Sequence, residues 1–333
     1  MPQSVFVLGD GGWGTAIAML MAKNGHKVRL WSVDEQYARQ VARTRENRKF
    51  LPGVRVSDQV AIVWDTSALA DAAMMVMAVP TQFARAVLSK LAPSFPRQVE
   101  IVSVAKGIEN DTLLRPSQVI RDVLGRVKVG VLSGPSHAEE VARGLPASVV
   151  AAAADDSFAS RIQALFMGER FRVYTNTDEV GVELGGALKN VIAIAAGMCD
   201  GMKLGDNTKS ALLARGLVEM ERLGVALGAR RSTFTGLAGI GDLVTTCVSP
   251  FGRNREVGLK IGQGMKLAEV LKSMEKVAEG VWTTKSVHSL AKKQGVRMPI
   301  AEEVYAVLFE DKPSQQALKD LMTRRAKSEE EDL

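Results

Sequence analysis

The chain has 333 residues, 46% hydrophobic and 24% charged, which is material for two ordinary domains, each with its own core. Lysine and arginine number 43 against 37 acidic residues, and the resulting +6 suits small anionic substrates. No basic block interleaved with aromatics accompanies that charge, so a nucleic-acid surface is not expected. Two cysteines, Cys199 and Cys247, are too few for a disulfide framework or a thiolate metal site. A reducing cytoplasm and no metal are therefore expected.

The opening "MPQSV" runs into a strand pattern rather than a basic-then-apolar leader. Val5 to Leu8 reads as a short buried strand closed by Gly9, and Thr15 to Lys23 as a helix with Ile17, Leu20 and Met21 on one side. "KVRLW" is the next strand and "DEQYARQVARTRE" the next helix. Further strands are expected in "AMMVMAVP", "EIVSVAKG", "VKVGVLSGP", "ASVVAAAA" and "FRVYTNTD", with a helix at Gln82 to Leu91 between two of them. Strands alternating with helices predict a mostly parallel, doubly wound sheet.

After Asp178 the period-2 runs stop. "LGGALKNVIAIAAGM", "SALLARGLVEMERLGVALG", "KLAEVLKSMEKVAEG" and "EEVYAVLFE" all read as helices. Within them "NVIAIAAGMC" is shorter than the ~20 residues of a membrane span. The expected organisation is an α/β dinucleotide-binding domain over 1–180, an all-α substrate and catalytic domain over 181–325, and a disordered acidic tail over 326–333.

Gly9, Gly11 and Gly14 form G-x-G-x-x-G between the first strand and first helix. There the first glycine permits a tight turn, the second lets a pyrophosphate approach the main chain, and the third lets helix and strand pack closely. The placement in a βαβ unit makes dinucleotide binding the expectation. Asp34 lies about 20 residues on, where an acid can bond the ribose 2′-hydroxyl of NAD, yet it also suits the N-cap of the next helix. NAD versus NADP stays open.

A carbonyl reduction needs a proton donor. His26 and His288 lie in polar surface contexts, and His137 has no carboxylate to orient it. Lys189 is more informative, because Gly185, Gly186, Ile192 and Ala193 lie one turn away. An ammonium on such a face either snorkels to solvent at the helix edge or is poorly hydrated, and in the second case its pKa falls towards neutrality, as a general acid requires. Lys106 and Gly107 end a strand where open α/β sheets hold ligands. "GLAGIGDLVTTCVSPFGRNREVG" reads as a flexible loop containing Asp242 and closed by Arg253 and Asn254, whose guanidinium and amide can grip a phosphate.

Together "GDGGWGTAIA", "VPTQF", "VAKGIE", "LSGPSHAEEVARG", "GGALKNVIAIAAG", "RGLVEMERLG", "GLAGIGDLVTTC" and "GRNREVG" resemble the NAD(P)-dependent glycerol-3-phosphate dehydrogenases, in order from Val5 to about Phe309. The resemblance implies a cytoplasmic homodimer that interconverts dihydroxyacetone phosphate and sn-glycerol 3-phosphate for glycerophospholipid synthesis. It makes Lys189 the acid/base, with Lys106 touching substrate and cofactor and Asp242 and Thr246 near the substrate hydroxyls. Arg253 and Asn254 would hold the phosphate, with Gly252 beside them, and Gly134 and Ser136 would add substrate contacts. Cofactor contacts would come from Gly9, Gly11, Gly12, Trp13, Gly14, Val33, Lys106, Ala138, Arg253, Val277 and Glu279. The chain departs from the family pattern in having Asp10 where Ala or Ser is usual, and Gly252 where many members have Ser. The alternatives are a β-hydroxyacid dehydrogenase, which usually has an asparagine where Ala193 stands, and a non-catalytic NAD(P)-binding regulator.

Overall fold

A computed structural model describes residues 2–274 and 277–329. The chain divides into two compact units, Met1–Ala105 with Arg115–Glu179, and Lys106–Leu114 with Val180–Leu333. The short excursion at Lys106–Leu114 differs from the single break expected near 180. Its residues are held in the second unit, where Ser286 Oγ donates to the Ile108 carbonyl at 2.8 Å and Asn190 Nδ2 to the Lys106 carbonyl at 3.3 Å.

The first unit contains β1 (Ser4–Leu8), α1 (Gly12–Lys23), β2 (Lys27–Trp31), α2 (Glu35–Thr44), β3 (Val60–Val63), β4 (Met74–Met77), α3 (Thr81–Leu91), β5 (Glu100–Ser103), α4 (Pro116–Leu124), β6 (Val129–Ser133), α5 (Ala138–Ala142), β7 (Ala147–Ala152), α6 (Asp156–Phe166) and β8 (Phe171–Asn176). The eight strands run in the order β3-β2-β1-β4-β5-β6-β7-β8, parallel except for the antiparallel β6/β7 pair. Helices cover both faces of such a sheet, so its central strands read as unbroken apolar runs. Every residue of β4 and β6 is buried. β3 escaped the sequence reading because "VAIV" is short and three of its four residues are partly or fully open to solvent. The strand order reverses between β1 and β4, the switch point where doubly wound sheets hold nucleotides.

The second unit is helical: α7 (Glu179–Gly201, its first residue counted with the sheet unit), α8 (Gly205–Ala226), α9 (Arg231–Phe234), a π-turn at Leu237–Gly241, α10 (Asp242–Val248), α11 (Arg253–Gly262), α12 (Leu267–Lys272), α13 (Glu279–Gln294), α14 (Pro299–Phe309) and α15 (Ser314–Met322). The segment expected as a flexible loop is therefore largely helical, packed through Ala238, Leu243 and Cys247 at no more than 1% exposure. The single helix expected over "KLAEVLKSMEKVAEG" is instead α12 and the start of α13, with residues 275 and 276 outside the described residues. Residues 330–333 of the expected tail also lie outside them.

At 23 residues α7 is long and apolar enough for a membrane span by composition, which the shorter run read from sequence was not. Its apolar window is 94% buried within the fold, so α7 is the core helix of this unit. Glycines let its neighbours approach. A Cβ on Gly201 would lie 2.9 Å from Gly262 Cα, and one on Gly258 2.9 Å from Met198 N, so α7 and α11 meet backbone to backbone.

Candidate active site

In the sheet unit, the turn after β1 is shaped by its glycines. Gly9 has φ +116°, and an added Cβ would sit 3.0 Å from the Ala78 carbonyl carbon, so only glycine fits without strain. A Cβ on Gly14 would overlap the Gly9 carbonyl, which is the close helix-to-turn packing expected of the third glycine. A Cβ on Gly12 would lie 2.6 Å from the Phe50 carbonyl oxygen, so this glycine has a packing role of its own. Gly11 differs from all three, since nothing lies within 4 Å of its missing side chain. Open space thus faces the N-terminus of α1, whose first N–H groups have no helical partner. Beside it, the buried Trp13 Nε1 has no hydrogen-bond partner among the described residues. A backbone cradle with an orphaned donor fits a dinucleotide pyrophosphate.

Ala138 heads α5 within 3.7 Å of the position a Gly12 Cβ would take. Gly134 (φ +133°) bends the chain after β6, and Ser136 Oγ donates to its carbonyl at 2.8 Å. Val33 is 72% exposed just beyond β2. Asp34 caps α2, accepting from the Tyr37 amide at 3.0 Å. His26 bridges Gln3 N and the Leu165 carbonyl, a structural role.

The helical unit holds a buried charge cluster. Lys189, in the middle of α7, donates to Asp242 Oδ1 at 2.6 Å and to the Thr246 hydroxyl. Lys106 donates to the other carboxylate oxygen, Oδ2, at 2.7 Å. One carboxylate thus serves two ammoniums. Asp242 is 1% exposed and Lys189 6%. The π-turn and Gly185 make this meeting possible, because a Cβ on Gly185 would overlap the Ala238 carbonyl. That glycine serves helix-to-turn packing.

Burial is the main influence on Lys189 and lowers its pKa to about 8, with Lys106 pushing the same way and Asp242 opposing. For Asp242, burial works upward, but Lys106 and Lys189 overcome it and hold the carboxyl below its usual value. The cluster is therefore ion-paired at neutral pH, with one lysine poised near neutrality.

Arg253 and Asn254 open α11. Arg253 Nη1 donates to the Val277 carbonyl at 2.9 Å, tying it to the segment that leads into Glu279 and α13. Asn254 is 8% exposed, and its Oδ1 accepts from the Gly280 amide at 2.9 Å, which leaves Nδ2 to donate outward. Gly252 caps the helix, and a Cβ there would lie 2.8 Å from the Thr246 carbonyl. The structure therefore brings Lys106, Lys189, Asp242, Thr246, Gly252, Arg253, Asn254 and Val277–Glu279 into one unit, whereas Gly134, Ser136 and Ala138 belong to the sheet unit with the glycine turn.

Models of the NAD-dependent glycerol-3-phosphate dehydrogenase N-terminus and C-terminus match residues 4–159 and 178–319. A glycerol-3-phosphate dehydrogenase [NAD(P)+] of Geobacter sp. (strain M21) is 49% identical, with 99% of each chain covered. The chain belongs to this dehydrogenase family. Membership makes it an oxidoreductase that uses NAD or NADP. Another relative carrying the same description, numbered 1 in Salinibacter ruber, is 51% identical over 98% of this chain and 97% of its own. The crystal structure of glycerol-3-phosphate dehydrogenase from Coxiella burnetii superposes with a TM-score of 0.93 at 37% identity, covering 97% of this chain and 99% of that one.

Two supporting residues were missed from sequence. Asn190 bonds the Lys106 carbonyl and so ties the second lysine to α7, and its position next to Lys189 was the available signal. Gly280 approaches both Asn254 Oδ1 and the Asn190 carbonyl so closely that a Cβ would lie 2.7 and 2.8 Å from them. No local pattern marks it, because the contact joins residues 26 apart.

Proposed function

We propose that this chain reduces dihydroxyacetone phosphate to sn-glycerol 3-phosphate and catalyses the reverse oxidation. The observation that carries the reading is Lys189, an ammonium in an apolar helix core with a pKa near 8, locked by Asp242 and Thr246. A bound reduced nicotinamide supplies the hydride that adds to the ketone carbon. As the carbonyl π bond breaks, its oxygen becomes an alkoxide, and Lys189 Nζ gives that oxygen its proton. Asp242 fixes the direction of the N–H bonds, and Lys106 adds positive charge where the oxyanion forms. In the reverse direction neutral Lys189 takes the alcohol proton.

Arg253, Asn254 Nδ2 and the N-terminus of α11 grip the phosphate, which distinguishes this substrate from an unphosphorylated hydroxyacid. Gly134 and Ser136 add substrate contacts. Gly9, Gly11, Gly12, Trp13, Gly14, Val33, Ala138, Val277 and Glu279 line the cofactor's path. Ala193, fully buried one turn after Lys189, gives a β-hydroxyacid dehydrogenase no amide there. A mere cofactor sensor would have no use for two lysines around a buried carboxylate. Supply of glycerophosphate for lipids by a cytoplasmic homodimer is part of the same reading, supported by family membership alone.

The test is loss of nicotinamide absorbance when dihydroxyacetone phosphate is added, with the product identified as the sn-3 enantiomer. Lys189→Ala should lower kcat at least ~100-fold with cofactor affinity unchanged, as expected for loss of a positioned proton donor. Substrate-independent absorbance, or near-normal turnover by the variant, would overturn the reading.

A further inference from the structure

Two acids meet the tip of β2: Asp34, whose backbone contacts the Ser32 hydroxyl at 3.3 Å, and Asp10, in the preceding glycine turn. Asp34 spends Oδ1 on the Tyr37 amide as the cap of α2. Asp10 is fixed through its carbonyl, which accepts from Thr15 Oγ1 at 3.2 Å and Asn47 Nδ2 at 2.7 Å. The Gly9 amide before it donates to the carbonyl of Trp31, the last residue of β2, at 3.2 Å. From there the Asp10 side chain reaches the hydroxyl of Ser32, which is 1% exposed, with the carboxylate of Asp34 and the ammonium of Lys49 as its charged neighbours. In doubly wound sheets this corner, between the first turn and the end of the second strand, receives the adenine ribose.

Resting on the dinucleotide reading above, we propose that Asp10 is a specificity residue that accepts the ribose 2′-hydroxyl and repels a 2′-phosphate, so that the protein prefers NADH to NADPH. A carboxylate accepts a hydroxyl proton well but can offer none to a phosphate dianion. Burial makes that repulsion stronger, because little water screens it. The same burial raises the Asp10 pKa, an effect that Ser32 and Lys49 oppose. The Lys49 ammonium lies over the Phe50 ring, 5.0 Å from its centroid, and is near enough to favour the Asp10 carboxylate. Without the carboxylate, the same ammonium would attract a 2′-phosphate.

The experiment is equilibrium titration of the apoprotein with NADH and NADPH, read by nicotinamide fluorescence without substrate. The wild type should bind NADH at least about tenfold more tightly. Asp10→Asn keeps the shape and loses the charge; it and Asp10→Ser should each tighten NADPH about tenfold and weaken NADH several-fold. Adding Lys49→Ala to Asp10→Asn should abolish the NADPH gain. Equal affinities in the wild type, or an unchanged ratio in both variants, would overturn the proposal while leaving the dinucleotide reading intact. Parallel loss of both cofactors in the variants would mean that Asp10 only supports the turn, which also overturns it. Failure of the wild type to bind either cofactor would sink the dinucleotide reading itself, and this proposal with it.

Discussion

If Lys189 is the proton donor, its pKa of about 8 must appear in opposite limbs of the two pH profiles. Reduction requires the ammonium, so kcat/KM for dihydroxyacetone phosphate should be level below about 8 and fall tenfold per pH unit above it. Oxidation of glycerol 3-phosphate requires the free amine, so its kcat/KM should rise through the same value and then level. The neighbours supply the stricter test. Lys106→Met removes a like charge, so the Lys189 pKa should rise and both limbs move to higher pH. Asp242→Asn removes the compensating carboxylate, so both limbs should move to lower pH. A unit charge at about 6 Å and an effective dielectric of about 20 is worth about 3 kcal/mol, or about 2 pH units. Lys106 is 16% exposed in its side chain, and solvent there reduces the effect, leaving a shift of about one unit for its removal. Initial rates from pH 6 to 10 in both directions measure it, with cofactor saturating. Profiles without a limb near 8, or variants that shift it in the same direction, would refute the assignment of the proton to Lys189.

Three further outcomes follow from the geometry. Arg253→Ala should cost about ten- to a hundredfold in kcat/KM with dihydroxyacetone phosphate, the scale of about 1.5–3 kcal/mol for charge-assisted hydrogen bonds, while any rate with dihydroxyacetone stays unchanged. Arg253→Lys should recover part of that loss, because the ammonium keeps the charge without the fork. Gly280→Ala would force a Cβ to 2.7 Å from Asn254 Oδ1, so KM for the phosphorylated substrate should rise more than kcat falls, a split that steady-state kinetics resolves. Gly11→Val should leave the melting temperature near that of the wild type and weaken cofactor binding, whereas Gly12→Val, facing the Phe50 carbonyl at 2.6 Å, should lower the melting temperature by several degrees.

The sheet was legible where strands are buried on both faces. "KVRLW" matched β2 residue for residue, and the cores of β4, β5 and β6 lay within the expected runs, though those runs continued past the last strand residue. At β4 and β5 the overruns have one cause: at the carboxyl ends the chain stays apolar while it turns, as at Val79 and Val104, which are buried but outside the strands. The antiparallel β6/β7 pair was not legible, since direction leaves no mark on a wholly apolar strand. Segment 106–114 was missed for a related reason. Its place in the helical unit depends on Ser286 and Asn190, residues distant in sequence, and not on any change in local composition.

The site was legible in kind but not in arrangement. A lysine among small apolar helix residues implies either a snorkelling surface chain or a paired buried charge, and sequence alone cannot choose between them. What decides is Asp242, 53 residues away, delivered by a π-turn that sequence read as a loop because its glycines are poor helix formers. In a π-turn those glycines are needed instead: a Cβ on Gly239 would overlap the Phe234 carbonyl. Gly185, Gly252 and Gly280 are likewise each set against a backbone carbonyl within the helical unit. Glycines near a site are easily assigned to the ligand, but here they hold the elements that carry Lys189, Asp242, Asn254 and Thr246 close enough to act together. That packing excludes water from Lys189, which brings its pKa down to about 8, and supplies in Asp242 the carboxylate that opposes the fall, so the lysine still holds its proton at neutral pH.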